Sequence, residues 1–427
     1  MENKKIKVVW VCHVSNAEIR EELKFKHSTK HRAVKDFSQW NTNAINEFKK
    51  FTDVELHVIS PHAGISSKLQ EFTKDSIYYH FFRSEDDNLV FRIKRRLFKG
   101  KYETPEYKTN TGTILSIVNR IKPDLIHLIG AENPYYSSSV LSMPKEIPLI
   151  VTLQTLMIAP NFFANYPISK KLYEYRSTIE RKVLERADYI SCKNKTTIDT
   201  LKKELNSDLR ILNMPLALGE NVNSSVCEKQ YTFVYFAKEI EKAADWAIEA
   251  FAIANKKHPE TTMRIVGGCG TEFKKQLDNR ITDLNIADKV TFSGSLPTHD
   301  DVINEVRKAS FAVLPLKIDL ISGTVREAMA NGLPTATTIT PATPSLNEKR
   351  ESVMLSEKGD FKAMANNLCQ LLENDDIASK IKTNAFKTIK EKYDNESIVR
   401  LWHNAYYAVL KNNEDGTPIP DTILRKN

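Results

Sequence analysis

A short polar segment between an apolar run and a helical pattern is the part of this sequence best suited to bind a phosphorylated ligand. Residues 311–314 are typical of a buried strand, and a helix is predicted to begin at Thr324. Ser322, Gly323 and Thr324 therefore stand at a helix start. Unpaired backbone N–H groups and the helix dipole favour an anion there, and glycine lets a phosphate come close. The segment predicts a diphosphate site.

Two carboxylates flank this segment. Asp319 precedes the predicted helix start, and Glu327 lies one turn inside the helix, eight positions further along the chain. Both carboxylates could face a ligand held at the loop. Glu327 is equally well explained as a helix-stabilising surface acid, so the local pattern leaves its role open.

The elements that must position these residues follow a regular alternation. Near-continuous apolar, β-branched runs predict parallel strands that are covered on both faces. In the first half they are residues 8–14, 54–60, 125–130, 149–153 and 189–192, with weaker members at 77–82 and 209–212. Apolar residues at helical spacing fall between them, at residues 40–51, 112–122, 169–187 and 196–205. This pattern is typical of a doubly wound α/β domain.

A linker is predicted at residues 215–230, where periodicity is lost and Asn, Ser and Gly are frequent. The alternation then restarts, with strands at 232–236, 262–266, 290–293, 311–314 and 335–338. We therefore expect an α/β protein with two doubly wound, Rossmann-like domains, residues 1–218 and 228–394. Such domains bind ligands at the carboxyl ends of their strands, so a cleft between them is expected. In residues 395–427, an apolar stripe at Ile398, Trp402, Ala405, Tyr406 and Val409 predicts a helix that packs back on the first domain.

Composition narrows the class of protein. With 427 residues, 41% hydrophobic and 27% charged, the chain is not disordered or fibrous. Its net charge of +8 favours an anionic partner, either nucleotide phosphates, anionic lipid or nucleic acid. Nucleic acid is least favoured, because basic and aromatic residues do not interleave. The five scattered cysteines predict neither a metal site nor a disulfide framework, and no signal peptide or membrane span is evident, so a cytoplasmic location is expected.

One stretch of the first domain is strongly basic. Residues 92–101 concentrate Arg and Lys around Ile93, Leu97 and Phe98. This composition is typical of a basic amphipathic element that rests on an anionic membrane. A solvated helix face explains it equally well.

The two acids and the residues after them carry a family resemblance. Asp319 and Glu327 match a Glu-x7-Glu motif whose first acid is here Asp, and residues 328–334 read Ala-Met-Ala-Asn-Gly-Leu-Pro. The sequence thus resembles the GT-B glycosyltransferases, specifically the retaining family 4. The resemblance implies that Asp319 contacts the donor sugar and Glu327 the nucleotide ribose. It also implies that Ser322, Gly323 and Thr324 hold the diphosphate.

A second motif is expected after the first strand of the second domain. The family uses a basic pair there, Arg-x4-Lys, to neutralise the leaving diphosphate without a metal. Lys242 matches the lysine, whereas Ala237 occupies the arginine position and Lys238 offers the neighbouring positive charge. Two glycine-containing segments, residues 264–270 and 290–295, resemble those that the family places near the nucleotide. The resemblance therefore implies that four further residues belong to the donor site: Gly268, Ser293, Gly294 and Ser295.

The first domain offers weaker candidates. His127 matches one histidine of the His-x-His that many relatives carry, and Ile129 replaces the other. A structural role for His127 is as well supported as a catalytic one. Loop residues Glu132 and Asn133 are further candidates. The turn after the first strand contains three more candidates on the acceptor side, His13, Ser15 and Asn16.

The resemblance implies a bacterial, retaining hexosyltransferase of polysaccharide or surface-glycan biosynthesis. Its substrates would be a UDP- or GDP-sugar and a glycan or lipid-linked acceptor, with neither a cofactor nor a metal required. The basic residues 92–101 predict peripheral attachment to the inner face of the cytoplasmic membrane. Two alternatives remain: a catalytically impaired GT-B scaffold or nucleotide-binding protein, favoured by Ala237 and Ile129, and a GT-B sugar-nucleotide epimerase.

Overall fold

The computed structural model describes residues 5–26, 36–87, 93, 97, 104–159, 168–192, 195–205, 208–217, 222–317, 323–340 and 343–425. The chain divides into two compact units. Unit 1 consists of Met1–Ala217 and Asn395–Asn427, and unit 2 of Leu218–Asp394. Asp319, Ser322 and most of the basic stretch 92–101 lie outside the described residues, so the predictions for them rest on sequence alone.

The described part of unit 1 contains a sheet of eight strands. They are β1 (Ile6–Val11), β2 (Val54–Pro61), β3 (Leu69–Lys74), β4 (Ile77–Phe82), β5 (Leu125–Ile129), β6 (Leu149–Thr152), β7 (Tyr189–Ser191) and β8 (Ile211–Leu212). The order across the sheet is β3-β4-β2-β1-β5-β6-β7-β8, and β3 pairs antiparallel with β4 while the other pairs are parallel. The order reverses between β1 and β5, which creates a crevice at the carboxyl ends of these two strands.

Helices follow the strands of unit 1. They are α1 (Ala17–Glu22), α2 (Gln39–Phe48), α3 (Lys108–Ile121), α4 (Pro134–Ser137), α5 (Lys170–Arg186) and α6 (Lys195–Leu205). The central strands are buried: all five residues of β5 and all four of β6 are buried. Burial on both faces accounts for the unbroken apolar runs that predicted these strands.

Unit 2 is a second doubly wound domain. Its strands are β9 (Tyr231–Glu239), β10 (Met263–Gly268), β11 (Val290–Gly294), β12 (Ala309–Leu314), β13 (Thr335–Thr338) and β14 (Met354–Ser356). All pairs are parallel, in the order β11-β10-β9-β12-β13-β14, so the reversal falls between β9 and β12. The helices are α7 (Ala244–Lys257), α8 (Thr271–Asp283), α9 (His299–Val306), α10 (Gly323–Ala330), α11 (Phe361–Glu373) and α12 (Asp375–Lys392).

The last helix, α13 (Asn395–Asp415), belongs to unit 1. Its buried side chains are the five of the predicted apolar stripe together with Val399. The Nε1 atom of Trp402 donates a hydrogen bond to the carbonyl oxygen of Pro215 at 2.8 Å. Within the described ranges, no helix is both long enough and apolar enough to cross a membrane.

Candidate active site

In unit 2, the predicted basic residues lie where the strand order reverses. Lys238 is near the end of β9, and Lys242 ends the short 3-10 turn Ile240–Lys242 that joins β9 to α7. Both side chains are exposed. Since open α/β sheets bind ligands at this reversal, the two lysines are placed to meet an anion.

The glycine segment after β10 packs closely against the end of β9. Gly267 has φ +135°, and a Cβ atom at this position would lie 1.9 Å from the carbonyl oxygen of Ala237. Only glycine tolerates both the backbone conformation and this close approach. At Gly268, a Cβ atom would lie 2.1 Å from the Oγ atom of Ser295, so these two predicted donor-site residues are neighbours.

Ser293 and Gly294 end β11. The Ser293 hydroxyl donates a hydrogen bond to the Gly294 carbonyl oxygen at 2.8 Å, and Gly294 has φ +70°. These two residues therefore shape the turn that leads to Ser295. The segment forms part of the same carboxyl edge as β10, because β10 and β11 are adjacent parallel strands.

Glu327 lies on α10 and faces a histidine that sequence reasoning did not identify. The Nε2 atom of His299, the first residue of α9, is 4.0 Å from Glu327 Oε1, and the side chains are only 22% and 16% exposed. Burial raises the pKa of Glu327, against the opposing influence of His299 and Arg326. The Glu327 carboxyl group can therefore still form hydrogen bonds with hydroxyl groups of a ligand. The same helix begins at Gly323 within the described residues, one position before the predicted start at Thr324.

In unit 1, candidate residues meet at the reversal between β1 and β5. His13 follows β1, and its Nδ1 atom is 2.9 Å from the hydroxyl oxygen of Tyr135, which lies on α4 after β5. The ring of His13 also packs against Phe37, with 4.0 Å between ring centroids. His13 is thus brought close to the loop that carries Glu132 and Asn133.

Ser15 and Asn16 are used by the local structure. The Oγ atom of Ser15 is 3.0 Å from Nε2 of His62 and accepts a hydrogen bond from Arg20 at 3.2 Å. Asn16 is the N-cap of α1, because its Oδ1 atom accepts from the Ile19 N–H at 2.8 Å. These contacts give both residues structural roles, and their proposed role on the acceptor side stays a prediction.

The loop that follows β5 contains a buried carboxyl group, that of Glu132. The Oε1 atom of Glu132 accepts from Asn133 at 2.8 Å, whereas its Oε2 atom has no hydrogen-bond partner among the described residues. Arg176 donates to the Glu132 carbonyl oxygen at 3.0 Å and to the Asn133 side chain. Burial raises the pKa of Glu132 to about 7. The carboxyl group is therefore suited to exchange a proton near neutral pH.

His127 is placed in the core. It is inaccessible to solvent, and its ring nitrogens lie 2.6 Å from the Tyr406 hydroxyl and 2.6 Å from the Thr152 hydroxyl. Burial lowers the pKa of His127 to about 3. These contacts favour the structural alternative for His127 over a catalytic one. Ile129 is likewise buried in β5.

Within the described residues, one group of three side chains has the composition of a metal site. The potential ligand atoms of His258, Cys369 and Glu373 all lie within 4.8 Å of one another. Glu373 Oε1, however, is 2.9 Å from His258 Nε2 and 2.6 Å from Lys257 Nζ. Burial also raises the pKa of the Cys369 thiol, which disfavours the metal-binding thiolate. Ion pairing accounts for this cluster, which shares no residue with the two sites above.

A protein-family model matches most of unit 2. Residues 221–388 match the model of the family described as Glycosyl transferases group 1. One curated relative is N-acetyl-alpha-D-glucosaminyl L-malate synthase of Bacillus anthracis, 27% identical over 149 residues. The alignment covers 35% of this chain and 38% of the relative, so the chain spans well under half the length of that curated relative.

Solved structures establish the fold across both units. Sucrose-phosphate synthase from Thermosynechococcus elongatus matches with a TM-score of 0.68 and 14% identity, covering 95% of this chain and 99% of that one. Anabaena HepE in complex with UDP and glucose matches with a TM-score of 0.63 and 13% identity, covering 94% and 100%. The chain has the GT-B fold, as predicted, and the resemblance to group 1 glycosyltransferases is confirmed. Its narrower assignment to family 4 stays a prediction.

Proposed function

We propose that this protein is a glycosyltransferase that moves a sugar from a UDP- or GDP-sugar to a glycan or lipid-linked acceptor, with retention of configuration. One observation carries the proposal: Lys242 lies in the turn that follows β9 and Glu327 lies on the helix that follows β12, both within residues 221–388 that match the group 1 family. The UDP and glucose in the HepE structure support a UDP-sugar as the first donor to test.

The proposed mechanism relies on positive charge at the leaving group. As the bond to the sugar breaks, negative charge develops on the nucleoside diphosphate, and preorganised positive groups stabilise it. Lys242 and Lys238 supply this charge, and the N–H groups of Gly323 and Thr324 at the start of α10 bind phosphate oxygens. Glu327 accepts hydrogen bonds from the ribose, and the donor sugar is held by Asp319. No metal is required in this scheme.

Binding experiments test the donor site directly. Glu327→Ala and Lys242→Ala should each weaken binding of the preferred nucleoside diphosphate by about 10- to 100-fold, because each removes a hydrogen bond to a charged group. Isothermal titration calorimetry against UDP, GDP and their sugar derivatives measures the loss.

Lys256→Ala is the matched control, since Lys256 is an exposed lysine in the last turn of α7, far along that helix from Lys242. Its affinity should equal that of the unmodified protein. A folded protein that binds none of these nucleotides, or variants that bind as tightly as the control, would contradict the proposal.

A second candidate function follows from Ala237. Without the arginine expected at this position, the protein could bind a nucleotide sugar as a scaffold and transfer nothing. Transfer assays separate the alternatives: tight nucleotide binding without product supports the scaffold, and conversion of the donor sugar without any acceptor supports an epimerase. Release of nucleoside diphosphate that depends on the acceptor supports the transferase.

We further propose that unit 1 recognises the acceptor. Glu132 supports this role, because its buried Oε2 atom has no partner among the described residues and its pKa is raised to about 7. Asn133 lies in the same loop, and His13 contacts Tyr135 just after it. A hydroxyl group of the acceptor is the chemistry that such a carboxyl group would bind.

The basic stretch 92–101 leads us to propose attachment to the anionic inner face of the cytoplasmic membrane. Ile93 and Leu97, which the structure does describe, are helical residues four positions apart with exposures of 49% and 70%. Two such apolar side chains flanked by Arg and Lys suit an anionic interface.

Reversing the charges of Arg95, Arg96 and Lys99 should abolish binding to vesicles that contain anionic lipid, measured by co-sedimentation. Vesicles of neutral lipid provide the control. Unchanged binding to the anionic vesicles would show that this stretch is a solvated helix face.

A further inference from the structure

A lysine that is not among the predicted site residues stands at the reversal of strand order in unit 2. Lys317 follows β12, and Asp245 lies in the first turn of α7, which follows β9. The Nζ atom of Lys317 is 2.7 Å from each oxygen of the Asp245 carboxylate. Because β9 and β12 are the two strands at which the order reverses, this ion pair spans the ligand-binding edge of the sheet.

Further contacts hold Lys317 in place. Its ammonium group lies over the ring of Trp246, 5.1 Å from the centroid, and Trp246 packs edge-on against Phe361. The Nζ atom of Lys358 donates to the carbonyl oxygen of Lys317 at 2.7 Å. Both the backbone and the side chain of Lys317 are therefore fixed at this edge.

The ion pair leaves part of the ammonium group available. A lysine carries three N–H donors, and two of them are directed to Asp245. Apart from the ring of Trp246, no third acceptor for this ammonium group occurs among the described residues, and the Lys317 side chain is 27% exposed. A partly exposed ion pair contributes little stability. The main consequence of the ion pair is that it fixes the orientation of the Lys317 ammonium group.

We propose that Lys317 is a third cation of the diphosphate site, beside Lys242 and Lys238, and compensates for Ala237 at the arginine position. The inference rests on the proposed function. Lys242 and Lys238 approach the site from the end of β9, whereas Lys317 approaches it from the end of β12. A diphosphate at the reversal would then have positive charge on two sides, with the remaining N–H of Lys317 directed at a phosphate oxygen.

The test compares a nucleoside diphosphate with its parent nucleoside. Lys317→Met retains an unbranched chain over Trp246 but removes the charge. It should weaken binding of the preferred nucleoside diphosphate about tenfold or more. Affinity for the nucleoside, measured by competition, should not change. Lys317→Arg should recover most of the loss, because a guanidinium can pair with Asp245 and still donate to phosphate.

Three outcomes decide the inference. Selective loss in Lys317→Met with recovery in Lys317→Arg supports it. Diphosphate affinity equal to that of the unmodified protein overturns it and leaves Lys317 with a structural role, while Glu327→Ala still tests the proposed function. If the unmodified protein binds no nucleotide, the proposed function fails, and this inference fails with it. Lys317→Gln repeats the comparison if the methionine variant melts at a lower temperature.

Discussion

Replacing Trp402 with alanine should lower the free energy of unfolding of unit 1 by about 3–5 kcal/mol, the usual cost of truncating a fully buried tryptophan. The residue lies on α13, near the end of the chain, yet its side chain is inaccessible to solvent. The expected loss would be a large fraction of the stability of a typical domain.

The contacts of Trp402 explain this magnitude. Its ring lies 5.5 Å from that of Trp10 and 4.9 Å from that of His127, both edge-on, and its Nε1 atom donates to the Pro215 carbonyl oxygen. Trp10 in turn donates to the Tyr406 hydroxyl at 2.9 Å. Truncation would therefore open a cavity and remove the hydrogen bond to the half-buried Pro215 carbonyl group, and the two costs add.

Hydrogen exchange measured by mass spectrometry during urea unfolding distinguishes the two units. Peptides from β1 and β5 should lose protection at lower urea in Trp402→Ala, whereas peptides from unit 2 should not change. Asn404→Ala is the control on the same helix, because Asn404 is exposed, and it should shift the free energy by less than about 0.5 kcal/mol. Unaltered protection of β1 would mean that α13 is not part of the unit 1 core.

Much of this architecture could be predicted from the sequence, because buried parallel strands are unbroken apolar runs. The runs at residues 125–130 and 149–153 correspond to β5 and β6. The strand β3 was not predicted. It is an antiparallel edge strand with the mixed sequence Leu-Gln-Glu-Phe-Thr-Lys, and its side chains are only partly buried. Such a strand depends on its pairing with β4 and carries little signal of its own.

The candidate site was predictable only where its residues fall in a contiguous motif. Glu327 and Lys242 could be identified because each stands in a recognisable local pattern. His299 and Lys317 could not, because they acquire their significance from contacts with Glu327 and Asp245, which are remote in sequence. For His127, the deciding contact is with Tyr406, 279 positions away, and sequence spacing does not reveal such a contact.

The stability of unit 1 should also depend on pH through a buried pair of carboxyl groups. Glu180 on α5 is inaccessible to solvent, and its Oε2 atom accepts from the Ile158 N–H at 2.8 Å. Its Oε1 atom has no partner among the described residues. Burial raises the pKa of Glu180 from 4.5 to about 8, and the charge of Glu132 adds to this effect.

The direction of the pH dependence follows from these values. Below pH 4.5 the carboxyl group is protonated in both the folded and the unfolded chain. Between pH 4.5 and about 8 the unfolded chain has released this proton while the folded chain retains it, so stability falls as the pH rises. One such group contributes a slope of at most about 1.4 kcal/mol per pH unit. Glu132, whose pKa is raised from 4.5 to about 7, should add a second contribution to this pH dependence over the narrower range between those two values.

Glu180→Gln isolates this contribution, because glutamine can still accept from Ile158 but does not titrate. The free energy of unfolding of the variant, relative to the unmodified protein, should increase steadily between pH 5 and pH 8. Urea denaturation at fixed temperature across this range measures the difference, with Glu185→Gln as the control from an exposed position on the same helix. A difference that stays constant with pH would show that Glu180 ionises near its ordinary pKa. The burial of Glu180 Oε1 without a hydrogen-bond partner among the described residues would then require a different explanation.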